Sequence, residues 1–200
     1  MPDSTVDFPR YLILTAAMVC GALLALAVYM LGQRFGLDWN VNNGDGNPYD
    51  AADYYPGDDV VDVVGVDVYD VSGAPGTYPY PSACDDACRQ ERQTRAWNRH
   101  IYGGERGLAY WSRFAAAHGK PLSLPEWGLW DRPDGTGGGD DPMFVRRIHA
   151  FVTDPANNVL YQAYFEFDGG DGSHRLMTTF PRSGAVFREL FGDAGAASGP

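Results

Sequence analysis

The rhythm of apolar and polar positions changes several times along the chain. From Tyr11 to Gly32 no position is charged, YLILTAAMVCGALLALAVYMLG, and Arg10 and Arg34 flank the run. At 1.5 Å per residue a helix of this length spans the ~30 Å hydrocarbon core of a bilayer, and none of its faces is polar. The pattern predicts a transmembrane or signal-anchor helix over 11–32 behind a short leader, 1–10. The competing reading is a cleaved signal peptide with Ala25-Leu26-Ala27 as the cleavage motif, although the run exceeds the ~7–15 apolar residues usual there. Basic flanks are nearly balanced. A short leader is easier to leave inside than the large acidic remainder, so the main domain is expected outside the cytoplasm, membrane-anchored or secreted after cleavage.

Beyond the run, short β-branched stretches alternate with helical periods. Gly36–Val41 reads as a short strand ending in the turn-rich NNGDGNP. Val60–Asp70, VVDVVGVDVYD, reads as a strand buried on both faces of a parallel sheet. A Pro-, Gly- and Tyr-rich loop leads to helices over about 87–101 and 104–118. In the second of these, Leu108, Trp111, Phe114 and Ala115 share a stripe and Gly119 stops the helix. A third strand, Lys120–Gly128, precedes a helix opened by Pro142 and running to about Thr153. Val159–Phe167 is the fourth strand, and a helix over about 183–191 precedes a small-residue tail, 192–200, expected to be flexible. Strand followed by loop and helix, repeated about four times, signals βα units and a parallel sheet.

Charge narrows the function. The 200 residues carry 26 acidic and 15 basic side chains, a formal charge of −11, with 21 Asp against 5 Glu. A sequence pI near 4.6 excludes a phosphate-binding footprint, so nucleic acid is not an expected partner. No nucleotide-binding loop, nucleophile elbow or H-E-x-x-H is present, the four His residues are scattered, and neither metal nor cofactor is expected. Asp38-x-Asn40-x-Asn42 opens like a calcium loop but lacks its later Gly and Glu. Cys84 and Cys88 form C-x3-C. Zinc would need two more ligands and only His100 is near, which leaves a short-range disulfide or two free thiols.

Polar residues collect where strands end, the face that holds active sites in (β/α) barrels: Asn40, Asn42, Asp67, Asp70, Glu126, Glu166 and Asp168. Glu126, between Pro125 and Trp127, is the carboxylate best placed to attack an anomeric carbon from a fixed strand end. A retaining glycosidase also needs a second carboxyl group ~5–5.5 Å away. Trp39, Tyr69, Trp127, Trp130, Tyr164 and Phe165 are placed to pack on sugar rings, although plain core packing accounts for most residues of this kind.

Two segments, YYPGDDVVDVVGVDVYD (54–70) and KPLSLPEWGLW (120–130), resemble glycoside hydrolase family 26, the β-mannanase-like (β/α)8 barrels. GLAYWSRFAAAHGKPLSLPEWG is similar to the helix leading into that family's seventh strand. LDWNVNNGDGNPYD is similar to the fifth strand and its loop, and VLYQAYFEFD to the eighth. The resemblance covers 36–191 and implies an α/β fold, a partial (β/α)8 TIM barrel equivalent to strands 5–8, behind the N-terminal helix. It implies Glu126 as nucleophile, Tyr69 as the residue orienting it, and Trp39 and Tyr164 as sugar-platform aromatics, beside which Trp127 and Trp130 stand as substrate-binding candidates from their place near the strand ends. It implies retaining hydrolysis of a β-linked polysaccharide such as β-mannan. The family's acid/base glutamate, in a segment resembling H-E-M-N on the fourth strand, has no counterpart here, and 36–191 is well short of the roughly 250 residues of a complete barrel. Activity would therefore need a second copy of the chain or a complementing half-barrel. The alternative is a non-catalytic, membrane-anchored glycan-binding remnant or truncated product.

Overall fold

The computed structural model describes residues 36–44 and 49–192. The expected leader 1–10 and apolar helix 11–32, and all but the first residue of the tail, lie outside the described residues. Among the described residues no helix is long and apolar enough to cross a membrane.

Four strands form one parallel sheet in chain order: β1 (Asp38–Asn42), β2 (Val63–Tyr69), β3 (Leu122–Gly128) and β4 (Val159–Tyr164). Between β2 and β3 run helices α1 (Asp86–Ala96), continued by a wider turn over Trp97–Ile101, and α2 (Leu108–Ala117). Helix α3 (Pro142–Thr153) links β3 to β4, and α4 (Pro181–Phe191) follows β4. A short antiparallel hairpin, β5 (Asp168–Gly169) and β6 (Gly172–Ser173), follows β4.

Local chemistry sets the helix ends. Asp85 accepts from the Cys88 amide at 2.9 Å to cap α1. Asp141 accepts from Met143 and Phe144 at 2.9 and 3.2 Å, with Pro142 in the first turn where a missing N–H costs nothing. Asp140 does the same for α4 through the amides of Arg182 and Ser183. Gly119, at φ +65, ends α2 in the left-handed conformation that favours glycine. Cys84 and Cys88 are joined as a disulfide at the start of α1, Cα atoms 5.3 Å apart.

The core lies between the sheet and its helices. Val64, Val66 and Val68 of β2 and Leu122, Leu124 and Trp127 of β3 are fully buried, with Leu108, Trp111 and Ala115 of α2 and Phe144, Val145 and Ile148 of α3. Burying each large side chain contributes roughly 1.5–3 kcal/mol. The opposite face of the sheet is polar or small: Asp38 and Asn40 approach Gly65, and Ser123 donates to Asp38 at 2.6 Å.

Several expected bounds move by two to four residues, and two of these shifts have a visible cause. Strand β4 stops at Tyr164 rather than Phe167. Phe165 N–H still bonds the Trp127 carbonyl, after which the Glu166 carboxylate turns to accept from the Leu176 amide at 2.7 Å, and Phe167 O accepts from His174 N instead. Helix α2 begins at Leu108 rather than Gly104, because Gly103 and Gly107 pack backbone on backbone there and leave no room for a Cβ.

Candidate functional site

The site is built where β2 and β3 end. Pairing runs Gly65 with Ser123 and then Val68 with Trp127, so β3 carries one extra residue over this interval. Side chains alternate across a strand, and a bulge resets that alternation. Ser123 and Glu126, an odd number of positions apart, consequently share the polar face. Gly65, Asp67 and Tyr69, every second residue of β2, lie on it as well. The Tyr69 hydroxyl donates to Glu126 Oε1 at 2.5 Å. Burial pushes the Tyr69 phenol far above its usual range, and the bond to Glu126 and the charges of Glu126 and Asp67 push it the same way.

Asp67 stands two residues before Tyr69 and accepts from Asn40 Nδ2 at 2.9 Å. Burial raises its carboxyl above the ordinary range, the charges of Glu126 and Asp38 add to the shift, and the Asn40 bond opposes it. Asp67 and Glu126 are thus two carboxyl groups on one face within electrostatic reach of each other. Asp67, Tyr69 and Trp130 line an open cleft of about 580 Å³ together with Asn42, Asn43, His100 and the loop residues Val71–Ala74. Glu126 is not part of the cleft wall and reaches it through Tyr69.

The expected sugar-binding aromatics separate. Trp130 packs against Tyr69 and His174, ring centroids 5.2 and 4.7 Å away, and carries the Arg132 guanidinium at 4.2 Å. It lies with the site. Trp39 does not: it sits among Tyr55, Trp111 and Phe114 on the α2 side of β1. Trp127 is fully buried against Phe144, Tyr164, Phe187 and Phe191, and its indole N–H donates to Gln162. Each follows from strand alternation, since Trp39 is the neighbour of inward Asn40 and Trp127 of inward Glu126. Tyr164 bridges scaffold atoms, donating to His174 O at 2.8 Å and accepting from Leu129 N at 3.3 Å. These placements correct the expectation for Trp39 and Trp127 and make Tyr164 a support of the site's loops.

Asp67, expected only as one of the polar residues at strand ends, and His174 are the site residues to which the sequence assigned no role. The i, i+2 spacing of Asp67 and Tyr69 was the available signal for the first. His174 had none, because its contacts with Tyr69, Trp130 and Phe165 join residues far apart in the chain. Its Nδ1–H donates to Leu129 O at 2.9 Å. Among the described residues no group of three His, Cys, Asp or Glu is arranged to hold a metal ion.

No family model and no curated protein matches the chain. Solved structures do. An endo-β-1,4-mannanase double mutant of Cellulomonas fimi is similar at 25% identity and TM-score 0.38, over 68% of this chain and 26% of that one. A GH26 β-mannanase of Bacteroides ovatus is similar at 18% identity and TM-score 0.39, over 78% and 36%. GH26C of a Muricauda species is similar at 17% identity and TM-score 0.43, over 80% and 36%. The chain thus spans about a quarter to a third of the length of these proteins, and a likeness this loose leaves the functional argument to the residues themselves.

Proposed function

We propose that this chain carries part of a retaining glycoside hydrolase site of family 26 type, strands β1 to β4 standing for strands 5–8 of a (β/α)8 barrel, and acts on a β-linked polysaccharide. The observation that carries the proposal is the 2.5 Å hydrogen bond from Tyr69 to Glu126 at the C-terminal ends of parallel strands. In that chemistry the Glu126 carboxylate attacks the anomeric carbon, the glycosidic oxygen leaves with a proton from a second carboxyl group, and water resolves the glycosyl ester. The Tyr69 O–H steers one carboxylate oxygen and leaves the other for attack. The 200-residue sequence holds no H-E-M-N-like segment; a complementing half-barrel, or Glu126 of a second copy, is the proposed source of the acid. Lack of it costs a factor of roughly 10²–10⁴ on an ordinary leaving group. The Cys84–Cys88 disulfide supports work outside the cytoplasm. We place residues 11–32 as the anchor or export signal.

An aryl β-mannoside with a strongly acidic phenol leaving group needs no proton donor and isolates the nucleophile. We expect the full chain to release the phenol and Glu126→Ala to abolish release. Azide should restore it, giving a glycosyl azide of inverted anomeric configuration. Release that survives Glu126→Ala unchanged would remove Glu126 from this role. A second reading, glycan binding without turnover, is favoured by the cleft wall, which presents Trp130 and Tyr69 but not Glu126. It expects retention on β-mannan that Glu126→Ala leaves intact, with no phenol released by any variant.

A further inference from the structure

Directly after Tyr69 the chain turns Asp70 away from the polar face. The side chain is 1% exposed. Its Oδ1 accepts from the Tyr78 hydroxyl at 2.8 Å, whereas among the described residues no N–H or O–H reaches Oδ2. The group within hydrogen-bond reach of that carboxyl is another carboxylate, Asp141, itself 2% exposed. Two buried carboxylates in contact favour sharing one proton, because burial penalises each charge and each charge penalises the other.

The partners decide which of the two holds a proton. Asp141 accepts the amides of Met143 and Phe144 at the start of α3, and the Arg147 guanidinium on the same helix favours its charge. Asp70 has one neutral donor, Tyr78. The charged and titratable groups facing the pair are Tyr78 and Tyr80 from the loop after β2 and Arg147 from α3. Asp140 is turned to α4. Burial pushes Asp70 well above the carboxylate range, and the charge of Asp141 pushes it further.

We propose that Asp70 keeps its proton at neutral pH and donates it from Oδ2 to Asp141, a shared-proton clasp that positions the two loops walling the cleft. One loop, 71–85, follows β2 and supplies Val71–Ala74; the other, 129–141, follows β3 and supplies Trp130. The loops meet along the clasp: Ser72 N donates to Thr136 O at 2.9 Å, Gly138 N to Asp70 O at 2.9 Å, and Tyr80 O–H to Gly138 O at 2.9 Å. A Cβ on Gly138 would stand 1.8 Å from Asp70 Oδ2, so glycine is required where the second loop crosses the acid. Asp70 is a positioning residue and has no contact with the cleft.

Proton uptake on folding gives the clasp a signature that packing alone lacks. The unfolded chain ionises Asp70 near the ordinary carboxylate value and the folded chain does not. Stability is therefore fullest below that value and falls as pH rises, the unfolding constant growing roughly tenfold per pH unit until Asp70 ionises in the fold. Asp70→Asn is the matched variant, because its amide N–H₂ replaces the donated proton and its carbonyl still accepts from Tyr78. Denaturant unfolding of the full chain between about pH 6 and pH 8 should show wild type losing stability by one proton's slope more than Asp70→Asn. Asp141→Asn should flatten the slope in the same way. Infrared spectra of aspartate-labelled protein should show a protonated carboxyl band at neutral pH that Asp70→Asn removes. Equal slopes in wild type and Asp70→Asn, or no such band in wild type, would overturn the clasp. Absence of the band in wild type overturns the clasp even where a variant does not fold, and neither readout depends on glycan turnover.

Discussion

A phenol that donates to a carboxylate makes a charge-assisted bond, about 1.5–3 kcal/mol in this class and stronger where water is thinned. Tyr69 makes that bond to Glu126 from a half-buried position between Trp130, Phe165 and His174. Because burial and the neighbouring charges raise its phenol, Tyr69 stays a donor through neutral and mildly alkaline pH, and its ionisation sets no alkaline limit there. Removing the hydroxyl leaves the ring contacts and frees Glu126 to rotate. On an activated aryl glycoside, Tyr69→Phe should lower kcat about 10- to 100-fold with little change in KM, since each factor of ten corresponds to about 1.4 kcal/mol of lost orientation. Steady-state kinetics of the purified variant checks this. An unchanged kcat would show that Glu126 keeps its position without Tyr69.

Among the elements, β3 decides what the site contains. Its extra residue turns Glu126 to the polar face beside Ser123 and sends Trp127 into the core. The order of strands and helices was legible because β-branched runs and helical stripes record burial directly, and Pro142 and Gly119 mark helix ends by their own backbone chemistry. Glu126 and Tyr69 were legible through their motifs. The bulge was not, since one inserted residue leaves no compositional trace, and without it the facing of neighbouring aromatics is misread, as with Trp127. Asp70 and Asp141 were equally hidden, their meeting being set by how two long loops cross. Strand β2 offers a test at this scale. Gly65 lies against β1, where a Cβ would meet Asp38 Oδ1 at 2.4 Å and Asn40 Oδ1 at 3.0 Å. Asp38 cannot swing aside freely, because Ser123 and Tyr161 both donate to its other oxygen. Gly65→Ala should destabilise the fold by about 1–3 kcal/mol, the range for overpacking a fixed neighbour, read from urea unfolding. A neutral result would mean that Asp38 yields.

For the described part of the molecule as a whole, the sheet divides labour between its faces. Valines, leucines and Trp127 on one side meet α2, α3 and α4 and hold the fold; acids, amides and Tyr69 on the other meet solvent and form the cleft. The two tryptophans of the Glu126 segment fall on either side of this division. Trp127 is fully buried between Phe144 of α3 and Phe187 and Phe191 of α4, so truncation opens a cavity that backbone on three elements cannot close. Trp127→Ala should cost about 3–5 kcal/mol. Trp130 rests at the cleft with the Arg132 guanidinium 4.2 Å from its ring centroid and its indole N–H donated to Asp171 O at 3.2 Å. Trp130→Ala should cost about 1 kcal/mol, the worth of one exposed cation–π contact and one neutral hydrogen bond. Its effect belongs to ligand binding: retention of the chain in gels containing β-mannan should fall sharply, because a sugar ring loses its stacking surface. Retention of the Trp127 variant should track its folded fraction alone. Denaturant unfolding and affinity electrophoresis on the same two proteins separate the roles. A Trp130→Ala chain that binds as wild type does would move the ligand away from this cleft.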